Sequence, residues 1–354
     1  MVQPDGSDGL ASKLAELNSI IHYLRNSNLT PSQRDLLTTD FAARSKTVPE
    51  DLLAPLNSEV IRLHVPHSAG PQESPLTESV AHAQKEQADV GVLTVLPVEH
   101  RAVLAAFGID PSEFDVGEQG RRYHRTLLPS RRLGRDVSVV VALAEGAYDA
   151  RMIDAVYKVD AKYSVAFMAL VGIGAGHPDS FKLGDVAIPR VVWNYEAVRL
   201  EESGAAPRPR HENMLRDVAI NLNYYDPDVS QFYSYLAEHI SRLGPTSCPA
   251  GFDADAFRPT VKSQNVATAV GARLIADGTT MDALRDQNQL SSVADQESYG
   301  FAHACRDRWW AVFRGISDFG DPSKSSDWQF LAASSAALCL RDFIESEFIP
   351  PNER

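Results

Sequence analysis

Residues 294–318 read ADQESYGFAHACRDRWWAVFRGISD. The polar start, Asp295-Gln296-Glu297-Ser298, opens a short helix expected over Glu297 to Cys305. Trp310 to Ile316 (WAVFRGI) is an apolar run of strand length, and it ends on Ser317-Asp318. A helix is expected from Asp327 to Phe343, which would close the fold. Further back, Asp89 to Leu96 (DVGVLTVL), Val137 to Leu143 (VSVVVAL) and Val165 to Val171 are apolar runs with little polar alternation, expected as strands buried on both faces. A helical stretch over 149–161 separates the last two. Gly172-Ile173-Gly174-Ala175-Gly176 reads as a turn, with strand resuming at Asp185 to Pro189 and Val191 to Trp193. Strands joined by helical crossovers argue for a three-layer α/β/α domain with a central mixed sheet.

A small all-helical domain is expected ahead of it. Leu10, Leu14, Leu17, Ile21 and Leu24 recur at helical spacing over 8–26. Thr30-Pro31-Ser32-Gln33 has the form of a capping box, followed by Leu36, Leu37 and Phe41, and a third apolar run covers 52–63. A module of this size has little core of its own, so residues 1–63 are expected to pack on a protein partner or another copy, making the protein a homo-oligomer, at least a dimer. Residues 64–87 have linker composition, and the main domain is expected over 88–348. Within it, 200–264 is less regular, an insertion or lid with one helix near Ser230 to Leu243.

The 354 residues carry a net charge of −13, which disfavours nucleic acid as a partner, because backbone binding needs clustered cations. No run is long and apolar enough to span a bilayer, and Met1 to Gly9 lacks the pattern of a signal peptide, so no membrane partner and a cytoplasmic location are expected. Cys248, Cys305 and Cys339 lack metal-site or disulfide spacing and are expected as buried thiols. No metal or cofactor is expected.

The pair Asp295-Gln296-Glu297-Ser298 and Arg314-Gly315-Ile316-Ser317-Asp318 resembles the carboxy-terminal signature of the nucleoside phosphorylase superfamily, closest to its methylthioadenosine/S-adenosylhomocysteine nucleosidase branch. Gln296 stands where that branch usually has Met. The first strand with its acidic end, the Gly172 to Gly176 stretch followed by Leu183-Gly184-Asp185-Val186, and Ala276-Asp277-Gly278 match in the same order over about 255 residues. The resemblance implies that Asp318 protonates the purine leaving group, Glu297 holds the ribose hydroxyls, and Glu99 is the general base. Gln296, Gly172, Ile173, Gly174, Ser317 and Arg314 would line the substrate. Met281 stands where the family places a residue stacking on the base; simple core packing is an equal reading.

Such residues suit the chemistry. Breaking a C1′–N9 bond builds cationic character on the ribose and negative charge on the purine, so an acid is needed at the base and anionic groups near the sugar. Phosphate-using relatives carry a Gly-rich, Arg-containing loop after the first strand. Here Glu99 stands there instead, which favours water as the nucleophile, while Arg101 keeps phosphorolysis as the alternative. Arg101, Arg122, Arg208 and Arg210 are candidate phosphate contacts for a 5′-phosphorylated substrate; a solvated basic face is the competing reading. The expectation is therefore a purine nucleosidase releasing free base from an adenine nucleoside or nucleotide. Its helical addition resembles bacterial antiphage effectors that deplete AMP or ATP. A non-catalytic nucleoside-binding protein is the alternative from another class.

Overall fold

The computed structural model describes residues 85–201, 204–243 and 248–351, together with Leu17, Phe41 and Ser45. Contacts divide the chain into two units, Met1–Val80 and Ala81–Arg354. The helices expected over 8–26, from Thr30 and over 52–63 fall outside the described residues, apart from Leu17 and Phe41, which are helical and buried.

In the second unit the elements follow as β1 (Glu86–Thr94), α1 (Pro97–Phe107), β2 (Asp115–Val116), β3 (Arg122–Pro129), β4 (Asp136–Leu143), α2 (Asp149–Lys162) and β5 (Tyr163–Gly176). There follow β6 (Val186–Ala187), β7 (Val191–Asn194), the β8 (Val198–Glu201) and β9 (Gly204–Pro207) hairpin, and β10 (Arg210–Asn213). Next come α3 (Arg216–Tyr224), α4 (Phe232–Arg242), β11 (Val261–Lys262), β12 (Ala267–Val270) and α5 (Thr280–Gln287). The chain closes through β13 (Ser291–Asp295), α6 (Ser298–Ala304), β14 (Trp309–Asp318) and α7 (Gln329–Ser346).

The sheet is mixed. Its main path runs β10-β7-β12-β13-β5-β1-β4-β3-β2, with β14 pairing alongside β5 and β6. The β1–β4, β1–β5 and β5–β14 ladders are parallel, as buried apolar runs joined by helices require. At the far end of β5, Ala175 and Gly176 turn to pair antiparallel with β13. The expected turn at Gly172 to Gly176 is thus corrected: these residues are the end of a 14-residue strand. Glycine is weak in strands, so the pattern reads as a break; here it serves close approach, as the site shows. The strand expected over Asp185 to Pro189 shortens to Val186–Ala187.

The layering follows from side-chain parity on β14, where every residue is buried. Trp310 packs edge-on against Phe301 of α6, whereas Phe313, of opposite parity, packs on Phe343 of α7. Helices therefore cover both faces. The α7 sequence QFLAASSAALCLRDFIES is small-residue rich and sits tightly on β14: a Cβ on Gly315 would lie 1.9 Å from the Ala332 carbonyl oxygen. Residues 216–242 join this layer, with Leu222, Phe232, Leu236 and Ile240 in the main core and Tyr225, Ser230 and Gln231 all donating to Asp342 of α7. Cys305 and Cys339 are buried thiols as expected, while Cys248 is half-exposed. No described helix is long and apolar enough to cross a membrane.

Candidate active site

The ends of β1, β5, β13 and β14 converge on a cavity of about 270 Å³ whose walls include Leu96, Glu99, Ile173, Asp295, Glu297 and Asp318. The position is the one α/β sheets offer to ligands.

Glu99 lies in the first turn of α1 and reaches back to the strand ends. Its Oε2 accepts the amide N–H groups of Val95 (2.9 Å) and Leu96 (2.8 Å), and its Oε1 accepts that of Ile173 (2.9 Å). Burial pushes its carboxyl above the ordinary range, against the opposing pull of Arg314 and these three amides. Gly172 is required here, because a Cβ would lie 2.5 Å from Glu99 Oε1 and 2.2 Å from Arg314 Nη1.

Arg314, fully buried on β14, organises the floor. Its Nε donates to Asp295 Oδ2 at 2.7 Å, its Nη2 faces Glu297 Oε2 at 3.4 Å, and its Nη1, which has no hydrogen-bond partner, lies 3.9 Å from Glu99 Oε1. Burial works against its charge, yet Asp295, Glu297 and Glu99 outweigh that and hold the guanidinium above its ordinary value. One cation cannot neutralise three carboxylates. Glu297 shows the consequence: burial first, then Asp295 and Glu99, push it up to about 7 despite Arg314. Its Oε1 also accepts the amide of Tyr148 at 3.5 Å, and Tyr148 holds φ 82°, a conformation disfavoured for a non-glycine residue.

Asp318 closes the opposite wall. Three donors point at its carboxylate: Ser317 Oγ (2.8 Å) and Lys324 Nζ (3.2 Å) at Oδ2, and the Gly320 amide (3.0 Å) at Oδ1. Gln296 lines the cavity and its Nε2 donates to the Ala272 carbonyl (2.9 Å), tying this wall to the Arg273-Leu274-Ile275 loop.

Glu99, Glu297, Gln296, Ile173, Gly174, Ser317 and Asp318 are thus brought together, with Gly172 and Arg314 directly beneath. Others are not. Met281 is packed in a core cluster with Trp193, Ile275 and Leu284 and does not line the cavity, so its base-stacking reading is corrected to core packing. Nor does any of the four candidate phosphate contacts. Arg101 opens onto a separate cavity with Val98, Ile109 and Phe330; Arg122 lies 4.3 Å over the Phe114 ring; Arg208 and Arg210 are exposed near the β10 edge. Their neighbours Arg125, Arg132 and Arg135 pair with Glu86, Glu347 and Asp89, as a solvated basic face does. Sequence reasoning missed Asp295 as the partner of Arg314, Lys324 as the partner of Asp318, and the Arg273 to Ile275 wall. The Ala276-Asp277-Gly278 match lay next to that wall and was the available signal.

This architecture has counterparts among solved structures. Futalosine hydrolase of Helicobacter pylori superposes with a TM-score of 0.51 at 14% identity, covering 73% of this chain and 97% of that one. The 5′-methylthioadenosine/S-adenosylhomocysteine nucleosidase of S. pneumoniae, solved with a transition-state inhibitor, gives 0.53 at 15% identity, covering 73% and 98%. The domain has the nucleoside-phosphorylase-like fold. In sequence, the chain is 29% identical over 263 residues to the ATP nucleosidase Cap17 of Escherichia coli, covering 73% of this chain. It spans about half the length of that curated relative, 51%. No family model matches the chain.

Proposed function

We propose that residues 88–348 form an N-glycosidase that hydrolyses the C1′–N9 bond of an adenine nucleoside or nucleotide and releases free adenine. The observation that carries this reading is that Asp318 and the Glu99/Glu297 pair line one nucleoside-sized cavity over a single buried arginine. Asp318 donates the proton to the purine as the bond breaks. The surplus negative charge around Arg314 stabilises the cationic sugar that develops at the same moment. Glu297 accepts hydrogen bonds from the two vicinal ribose hydroxyls. Glu99 takes the proton from the attacking water.

Water, rather than phosphate, is favoured by the hydrogen bonds of Glu99. The amides of Val95, Leu96 and Ile173 form a cluster of donors of the kind that binds anions, and the Glu99 carboxylate already takes all three. The relative named as an ATP nucleosidase supports an adenine nucleotide as substrate. The proposal extends from there to nucleotide depletion as an antiphage effector in the cytoplasm, with the protein a homo-oligomer and residues 1–63 its contact to another copy or a partner.

The test is chromatography of reactions with adenosine, methylthioadenosine, AMP, ATP and NAD, each with and without phosphate. Adenine release independent of phosphate is expected. Formation of ribose 1-phosphate would replace hydrolysis with phosphorolysis, and binding of adenosine with no base release would make the protein a nucleoside binder.

A further inference from the structure

The charge balance of the cavity poses a problem for a phosphorylated substrate. Its lining carries four carboxylates, Glu99, Asp295, Glu297 and Asp318, against two cations, Arg273 and Lys324. The third nearby cation, Arg314, is fully buried and committed to the carboxylates of the floor. Arg273 stands at the rim, its side chain 85% exposed and 3.5 Å from Glu196. Lys324 is different: its side chain is 26% exposed, it lines the cavity, and its ammonium is spent on Asp318 at 3.2 Å.

That pairing conflicts with the work assigned to Asp318. Every group bonded to the carboxylate is a donor: the Ser317 hydroxyl, the Gly320 amide and the Lys324 ammonium. An acid about to protonate a base nitrogen must itself present an O–H, which needs an acceptor in front of it and no donor in its way. The amide is fixed and the hydroxyl can rotate. Lys324, on a flexible four-carbon stem, is the donor that can leave.

We propose that Lys324 is the specificity-determining residue for a 5′-phosphorylated nucleotide, moving from Asp318 to the phosphate as substrate binds. The proposal rests on the reading of Asp318 as the acid at the base. In an anti nucleotide the N7–C8 edge of the purine lies on the same side as the 5′ oxygen, so a cation beside the N7 acid is near the 5′ phosphate. The exchange does two things. It supplies the positive charge that an acidic cavity otherwise denies a phosphate, and it lets Asp318, once stripped of its counter-charge, take up a proton from solvent and pass it to the base only when such a substrate is present. A nucleoside without phosphate gives Lys324 no reason to leave.

The test measures kcat and KM for adenine release from AMP and from adenosine, in the wild type, Lys324→Met, Lys324→Arg and Asp318→Asn. In Lys324→Met the ratio of kcat/KM for AMP to that for adenosine is expected to fall on the order of 10- to 100-fold, the size of one charge-assisted hydrogen bond, through a higher KM for AMP together with a higher kcat for adenosine. Lys324→Arg should restore most of the ratio. Because both substrates are assayed on one preparation, partial misfolding cancels. An unchanged ratio, with Asp318→Asn inactive, overturns the role of Lys324 alone. A wild type that releases no base, or an Asp318→Asn variant as active as wild type, overturns the reading of the acid and this proposal with it.

Discussion

Arg314 Nε donates to Asp295 Oδ2 at 2.7 Å, and neither side chain is more than 2% exposed. Removing the arginine would leave Asp295, Glu297 and Glu99 buried together without a counter-charge. Breaking a buried pair in this way typically costs about 3–5 kcal/mol, so Arg314→Met is expected to lower stability by that order in urea unfolding. Adding Asp295→Asn and Glu297→Gln should recover part of the loss, because the stranded charges go with them. A single variant as stable as wild type would show that Arg314 is not what holds these acids together.

Glu297 makes stability depend on pH. Its folded value of about 7 lies above the ordinary 4.5, so its contribution is fully present below 4.5 and is lost as pH rises through about 7. Between those limits the slope approaches about 1.4 kcal/mol per pH unit, before screening by neighbouring acids. Glu99 and Asp149, also raised, act in the same direction. Unfolding free energies of wild type and Glu297→Gln, taken from pH 5 to 8, should therefore diverge as pH rises, with the variant the flatter of the two. Parallel curves would contradict the assignment.

Asp318→Asn and Glu99→Gln are both expected to lose adenine release, by about 10²- to 10⁴-fold each, the range of general acid and base contributions. Glu99→Gln also replaces an acceptor with an amide NH₂ facing the N–H of Ile173 or those of Val95 and Leu96, so it should melt earlier as well. Asp318→Asn keeps an oxygen for the Gly320 amide but loses the ion pair to Lys324, so it too should melt earlier, though by less than Glu99→Gln. Initial rates with AMP, beside thermal melts, separate the two.

Glu99 and Asp318 were legible because each follows an apolar run of strand length, and strand ends are where such folds place chemistry. Glu297 was legible only through the resemblance of Asp295-Gln296-Glu297-Ser298 to a family signature, since the strand before it, SSVAD, is short and polar at its start. What connects them was not. The Asp295–Arg314 contact spans a helix and a strand, and nothing in the sequence marks which of many acids an arginine will meet. Lys324 lies in a polar loop with no periodicity, so its approach to Asp318 is a tertiary fact. Arg101, Arg122, Arg208 and Arg210 show the converse: clustering along the chain gives their sign but not the direction they face. Met281 fits both a stacking position and a core, and only packing with Trp193 and Leu284 decides. The glycines of 172–176 suggested a break because strands disfavour glycine, yet Gly172 is there to let Arg314 and Glu99 meet.

Gly172→Ala should be among the most damaging single-methyl additions in the domain. Its Cβ would press on two buried charged groups at 2.2 and 2.5 Å, neither of which can move without giving up a partner. Overpacking of this kind costs about 1–3 kcal/mol or more, and activity should fall with it as Glu99 is displaced. A melt and a rate both equal to wild type would rule out the close approach.

Tyr148 predicts a gain instead. Its φ of 82° and ψ of 152° are a glycine conformation, costing a tyrosine about 1–3 kcal/mol. Tyr148→Gly relieves that strain, offset in part by the added freedom of the unfolded chain, and should raise the melting temperature by about 2–4 °C if the net gain is near 1 kcal/mol. A lower melting temperature would mean that the half-exposed ring contributes more than the strain costs.

The carboxylate of Glu99 can be regarded as an anion tethered in the amide cradle of Val95, Leu96 and Ile173. Held by its own backbone, it is present there at an effective concentration far above that of any free ion, so under the proposed activity inorganic phosphate in solution is not expected to displace it. A glycosidase built this way is indifferent to the phosphate supply of its surroundings. It also yields free sugar rather than an activated sugar phosphate, so the base, once released, has no energetic route back through the same site. Under the proposed activity, a nucleotide cut here is lost rather than exchanged.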